Sequence, residues 1–313
     1  MKITPTGRLV DVGGRRLHVN ISGSGAPTVI LEAGAAATSL SWASITPRIA
    51  MLATVITYDR AGLGWSDRVS KGYTALDSAE DLWLLLHKLP VDGPVIVAGH
   101  SFGGLIARVF QQRHPERVAG LVLIDPMVRA GWRVMNPTLA RGILLSRRGA
   151  LLARLGVVRP ALGLLTSGSL HIPKMVGRIF AGRGASVLER LSSDLRRIPP
   201  ELWPSIARHW AQPKSFQTMA DTLESLPVSV RQLDESIDLG DLPLEVLSAA
   251  TASPQDLAEH EHDASLSTRG MHCVVPNSGH WLQFDAPDAV AEAIGRVIRA
   301  AAQFRPVCRK CDQ

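Results

Sequence analysis

The chain is expected to fold as an α/β protein, a mostly parallel sheet flanked by helices, on three observations. Short apolar runs at 28–32, 53–58, 94–98 and 120–124 are β-branched or leucine-rich and are bounded by Gly, Asp or Pro, the pattern of strands buried on both faces. Segments with helical spacing at 39–50, 75–89 and 102–114 lie between them, and strand-helix alternation implies parallel strands joined by crossover helices. The alternation stops after Asp125 and resumes near Leu242, with strands at 244–249 and 272–276 and a closing helix from 286 to about 303.

The remaining elements follow in order. Gly13-Gly14 separates two short alternating runs, 8–12 and 16–21, which is a β-hairpin signal. The helix from 75 starts after Thr74 and ends before Pro90. Residues 127–238 form an insertion of helical character, and glycines with Pro160 divide its stretch 139–165 into several short helices. The expected organisation is a core of 1–126 and 239–305, a helical insertion at 127–238 and a C-terminal tail at 306–313.

Composition sets bounds on partners. The 313 residues are 46% hydrophobic and 20% charged, ordinary for a soluble globular protein and far from the signature of disorder. The formal net charge of +6 raises the question of anionic partners. Arginines concentrate between Arg129 and Arg197, interleaved with leucines, without a binding motif or aromatic stacking positions, so nucleic acid is not expected. Cys273, Cys308 and Cys311 are too few and too clustered for a disulfide framework, which points to a reducing, cytoplasmic setting. The Cys308-Arg309-Lys310-Cys311 spacing has no second pair and reads as an inert tail. Neither a signal peptide in 1–20 nor an 18-residue apolar run is visible. Gly62-Leu63-Gly64 lacks the third glycine of a dinucleotide fingerprint, and neither a P-loop nor a metal cluster is present, so no cofactor is expected.

Gly99-His100-Ser101-Phe102-Gly103 matches G-x-S-x-G, and its setting strengthens the match. An apolar strand precedes it and a helix follows, the strand-turn-helix context of a nucleophile elbow. Flanking glycines let such a turn close tightly and lift the serine hydroxyl above the sheet.

With this elbow the sequence resembles the α/β-hydrolase superfamily, in the branch with an inserted helical cap. Further matches are Leu31-Glu32-Ala33-Gly34, the stretch from Tyr58-Asp59-Arg60 to Trp65-Ser66, and Ser278-Gly279-His280 after the last strand. The resemblance covers nearly the whole chain and implies an eight-stranded sheet.

A serine hydroxyl is nearly inert at neutral pH without a base to take its proton. His280, in a glycine-bearing loop between the last strand and the terminal helix, stands where the family has that base. His114 looks like a helix C-terminal residue, while His18, His87, His209 and His272 fall in periodic segments that suit packed or solvated rings. His100 neighbours the nucleophile, but its side chain is expected to point elsewhere. For the oxyanion hole, Phe102 supplies one backbone N–H, and the resemblance puts the second at Ala35. The family usually has His-Gly where this chain has Ala33-Gly34, so a bracing side chain is lost there while the backbone donor remains.

The acid departs most from the family pattern. Where the family usually places Asp or Glu, residues 248–253 read Ser-Ala-Ala-Thr-Ala-Ser. Asp125, at the end of the strand after the nucleophile helix, is one candidate, and some family members carry their acid there. Asp256, a few residues past the usual place, is the alternative. Glu32 and Asp59 read as structural. The function these features predict is hydrolysis of a small or medium apolar ester or related acyl bond. Haloalkane dehalogenase and epoxide hydrolase are disfavoured because their nucleophile is Asp. The competing class is a ligand-binding protein that retains the pocket without turnover, and the missing acid is its support. The basic, leucine-rich stretch from Leu144 invites a membrane reading, but the favoured expectation is a cap whose leucines face the site and whose arginines face water.

Overall fold

The computed structural model describes residues 6–69, 72–160, 162, 199–234 and 236–302. A hairpin joins β1 (Arg8–Asp11) to β2 (Arg16–Ser22), followed by β3 (Thr28–Glu32), β4 (Thr54–Asp59), β5 (Val95–His100), β6 (Val118–Ile124), β7 (Leu244–Ala249) and β8 (Gly270–Val275). These strands form one sheet in the order β1-β2-β4-β3-β5-β6-β7-β8. Among the described residues only the pairings of β2, with β1 and with β4, are antiparallel. From β4 through β3, β5, β6 and β7 to β8 every pairing is parallel.

Helices bounded among the described residues include α1 (Thr46–Ile49), α2 (Ala75–Lys88), α3 (Phe102–Arg113), α4 (Pro137–Arg154), α5 (Trp203–Trp210), α6 (Pro213–Arg231), α7 (Pro254–Ser265), α8 (Leu282–Asp285) and α9 (Pro287–Ala301). The period-2 alternation of the strands explains why their apolar runs are unbroken. On β3, Ile30 joins one core while Val29 and Leu31 join the other. On β5, Val95 and Val97 face the first and Ile96 and Ala98 the second. Leu82 and Leu85 of α2 and Ile106 and Phe110 of α3 cover one side. Ile49 of α1 and Val290, Ile294 and Val297 of α9 cover the other.

Several elements differ from the sequence expectations or were not signalled by the sequence. The helical spacing at 39–50 resolves into a short 3-10 turn, Ser39–Trp42, and the separate α1, which starts at Thr46 with Pro47 in its first turn. The closing helix matches its expectation as α9, started by Pro287, and the short α8 before it had no sequence signal. The 250s hold a helix that apolar periodicity did not announce: α7, started by Ser253 and Asp256 in a reciprocal capping box. In the insertion, where several short helices were expected, α4 runs unbroken for 18 residues from its Asn136 cap. Its glycines do not break it because they face a neighbour: a Cβ on Gly149 would lie 2.4 Å from the Phe216 ring of α6. The leucines here also depart from expectation, since Leu144, Leu145 and Leu151 of α4 and Leu155 just after it are exposed.

The core is tied to α6 by hydrogen bonds from Thr218 Oγ1 to the Gly62 carbonyl, 3.1 Å, and from Lys214 Nζ to the Ser66 carbonyl, 3.0 Å. Among the described residues no helix is long and apolar enough to cross a membrane. Cys308 and Cys311 lie outside the described residues.

Candidate active site

Ser101 sits at the turn between β5 and α3 with φ 54 and ψ −119, a conformation that a side-chain-bearing residue adopts only when its surroundings enforce it. Its amide donates to the Ile124 carbonyl, 3.0 Å, and its carbonyl accepts from Gly104 and Met127, 2.9 and 3.2 Å. The flanking glycines are needed for space. A Cβ on Gly99 would lie 2.3 Å from the Gly103 carbonyl oxygen, and one on Gly103 would lie 2.4 Å from that of Glu32. Phe102 is the first residue of α3, so its N–H is one of those with no partner four residues back in the helix.

Asp125 follows β6 with φ 41, a second strained residue at the same end of the sheet. Its amide donates to the Leu247 carbonyl, 2.6 Å, and its Oδ1 accepts from the Ala249 amide, 2.9 Å. The other oxygen, Oδ2, takes a hydrogen bond from His280 Nδ1 at 2.6 Å. With Nδ1 protonated, the lone pair is on Nε2, across the ring. Burial alone would raise the Asp125 pKa, but the hydrogen bond from His280, that ring's charge and the Ala249 amide together hold it below its ordinary 3.8. The structure therefore brings Asp125 to His280 and keeps it ionised.

Asp256 is elsewhere and otherwise occupied. Its Oδ2 accepts from the Ser253 amide, 2.9 Å, and its own amide donates to Ser253 Oγ, 3.2 Å. Asp256→Ala is therefore expected to cost about 1 kcal/mol of stability through the lost capping box. Ester turnover should stay at the wild-type level in the same preparation, and a collapse of turnover in a folded variant would return Asp256 to candidacy.

The loop that carries His280 is pinned from several directions. Ser278 Oγ donates to the Val275 carbonyl, 2.6 Å, and accepts from the Ala250 amide, 3.1 Å. The Gly279 amide donates to Asp285 Oδ2, 2.6 Å. His100 provides another tie and corrects the expectation that it points away from the site. Its Nε2–H donates to the His280 carbonyl at 2.7 Å, and the two rings lie 4.7 Å apart. Complete burial, with the neighbouring His280 ring, pushes the His100 pKa down to about 3, so the ring stays neutral. The residue before Ser101 thus holds the backbone of His280.

The loop containing Ala35 is braced from below. Arg60 donates to Glu32 and to the carbonyls of Ala33, Gly34 and Ala35, the last at 3.1 Å. Tyr58 donates to the same carboxylate. Burial pushes the Glu32 pKa up, against the pull of Arg60 and Tyr58. A guanidinium from the next loop therefore performs the bracing that the missing family histidine would perform. Asp59 does similar work on the adjoining loops, accepting from His18 Nδ1 at 3.1 Å and from the Ser39 and Trp65 amides at 2.8 and 3.1 Å.

A further set of residues carried no sequence signal. Ser248 Oγ lies 2.7 Å from both His260 Nδ1 and His272 Nε2, and His260 Nε2 lies 2.8 Å from the Pro126 carbonyl. This chain supports the peptide next to Asp125. A cavity adjoins Ala35 and Phe102, bounded by Leu63 and Tyr73 of the core and by Thr218 and Thr222 of α6. Among the described residues no group of three or more His, Cys, Asp or Glu could hold a metal ion.

The sheet order, the elbow and the two-sided helical layers define an α/β hydrolase. The family model for the alpha/beta hydrolase fold matches residues 27–287, and the chain belongs to that family. It is 33% identical over 125 residues to the probable transporter efuK of Hormonema carpetanum, covering 37% of this chain and 18% of that protein. It is also 33% identical over 118 residues to the 2-(acetamidomethylene)succinate hydrolase of Mesorhizobium japonicum, covering 38% and 42%. The matched part is less than half the length of these curated relatives. The solved structure of the epoxide hydrolase CorEH without ligand superposes with a TM-score of 0.68 at 20% identity, covering 94% of this chain and 99% of that one.

Proposed function

We propose that the protein is a serine hydrolase of carboxylic esters or related acyl bonds, working through an acyl-enzyme on Ser101. The observation that carries this reading is the 2.6 Å contact between His280 Nδ1 and Asp125 Oδ2, made at the end of the sheet that also bears the Ser101 elbow.

In this reading His280 Nε2 takes the Ser101 hydroxyl proton as Oγ attacks the substrate carbonyl. Asp125 holds the ring in the Nδ1–H tautomer and stabilises the imidazolium that forms. The Phe102 and Ala35 amides bind the oxyanion. Collapse of the tetrahedral adduct expels the alcohol, which receives the proton from His280. Water then repeats the sequence on the acyl-enzyme and restores Ser101, so side chains and water account for every proton.

Epoxide opening fits poorly with a serine nucleophile, because attack by Oγ on the ring carbon leaves an ether with no carbonyl for water to attack. An aspartate nucleophile leaves an ester, which water can cleave. The ligand-binding alternative rested on a missing acid, and the Asp125 contact removes that support. Residues 127–238 would serve as the cap over the site, with a small substrate entering the space between Phe102 and α6. The cysteine content supports a cytoplasmic setting.

The test is covalent labelling with a fluorophosphonate, read by peptide mass, alongside hydrolysis of p-nitrophenyl esters of increasing chain length. The expected result is one adduct on the Ser101 peptide, absent in Ser101→Ala and His280→Ala, together with ester turnover. Folded wild-type protein that neither labels at Ser101 nor hydrolyses any ester of the series would overturn the reading.

A further inference from the structure

An uninterrupted basic tract covers much of the insertion. Between Asp125 and Glu189 there are ten Lys or Arg residues and not one Asp or Glu. That tract carries +10 against +6 for the whole chain, which leaves −4 on everything else. Seven of the ten lie among the described residues; Arg129 is buried in ion pairs with Glu259 and Asp263 and the other six are exposed, an excess that points to an anionic partner.

Four of the six exposed arginines lie on α4. One face of the helix packs on α6, burying Leu139, Ile143 and Ala150. There a Cβ on Gly142 would lie 2.9 Å from Leu223 Cδ1. The opposite face is apolar and open. Leu144, Leu151 and Leu155 are 48%, 57% and 67% exposed. At 3.6 residues per turn these three fall within about 40° of one another. Exposed Arg141 and Arg148 line one edge of the stripe, and exposed Arg147 and Arg154 line the other. Arg147 is paired with Glu224 of α6, which anchors that edge to the rest of the cap. A stripe of leucines between two rows of arginines is suited to a surface that is apolar within and negatively charged at its boundary.

We propose that the outer face of α4 docks the protein on anionic lipid bilayers, with Leu144, Leu151 and Leu155 entering the acyl boundary and the flanking arginines meeting lipid phosphates. The arginine stems can lie along the apolar layer while their heads stay at the headgroups. Nucleic acid would satisfy the arginines but offers the leucines nothing. A second copy of this face would bring like charges together. The lipid surface accounts for both the charge and the apolar stripe, and this inference does not depend on the catalytic reading.

The test is co-sedimentation of the full chain with vesicles of phosphatidylcholine alone or mixed with phosphatidylglycerol, at low and high salt. Binding is expected only to the phosphatidylglycerol vesicles, and to weaken as salt rises. The triple change Leu144→Ser, Leu151→Ser and Leu155→Ser should lower partitioning roughly tenfold or more. Arg148→Glu with Arg154→Glu should do the same. All these positions are exposed, so circular dichroism and thermal melting should match wild type and separate lost docking from lost fold.

Three results would each overturn the proposal. One is the absence of vesicle binding. Another is binding that the serine variants leave intact while a DNA duplex competes for it. The third is light scattering that shows a dimer which the serine variants convert to monomer, because the stripe would then be covered by a second copy.

Discussion

Asp125→Asn is expected to fold normally and to lose about four orders of magnitude in kcat on p-nitrophenyl esters, with little change in KM. The fold should survive because Asn can still accept the Ala249 amide bond that Oδ1 now takes. What it cannot keep is a negatively charged acceptor opposite His280 Nδ1. An amide there can turn its NH2 toward the ring, which favours the tautomer with the proton on Nε2, the atom that must accept from Ser101. Burial costs Asp125 more than any single contact returns, yet the several contacts together keep it ionised, so its charge is in place over the working pH range. Steady-state kinetics of wild type and variant would check this. Turnover within tenfold of wild type in a folded Asp125→Asn protein would remove the residue from the mechanism.

Sequence reasoning could reach the parts of this site that are local. The elbow is a strand, the single turn residue Ser101 and a helix in succession, and the glycines at 99 and 103 are dictated by backbone atoms a few residues away or on the adjoining strand. Strand alternation is also local, which is why 28–32 and 244–249 match the observed β3 and β7. The contact between Asp125 and His280 is not local. Asp125 and His280 are separated by 155 positions, and only the pairing of β6 with β7 and β7 with β8 brings their loops together. Spacing left Asp125 and Asp256 open, and they separate only once Asp256 is seen capping α7. The same limit applies to Arg60, whose contacts with three consecutive carbonyls depend on where one loop passes another. In the insertion the error had a different origin. Glycines in α4 were read as breaks, whereas they are the points where α6 comes close, and the leucines they accompany turn outward.

Acidification should unfold this protein well before its carboxylates are fully protonated. Two buried histidines remain neutral in the fold. Burial, assisted by the His280 ring, pushes His100 down to about 3, and burial pushes His209, packed 4.1 Å from the Trp65 ring, down to about 4. Both titrate near 6.5 when ordinarily exposed. Below that value the unfolded chain binds protons that the folded chain refuses, so stability falls as pH falls. For His100 the loss is about 1.4 kcal/mol per pH unit from 6.5 until about pH 3. By pH 4 it alone removes about 3 kcal/mol, and His209 adds to it. Against a total stability of about 5–15 kcal/mol these losses are large, and the cooperative transition should appear near pH 4. Tryptophan fluorescence followed from pH 8 to pH 3 would show it, since Trp65 packs on His209 and Trp281 lies 5.1 Å from His100. His209→Phe removes one of the two titrations and should move the midpoint to lower pH. A wild-type signal unchanged down to pH 4, or a midpoint that His209→Phe leaves where it was, would mean that these rings do not govern acid stability. The linkage has a functional side as well. His100 would take its proton on Nδ1, which is buried without a hydrogen-bond partner, so protonation requires the fold to open, and ester hydrolysis and tertiary structure should be lost together along the same pH curve.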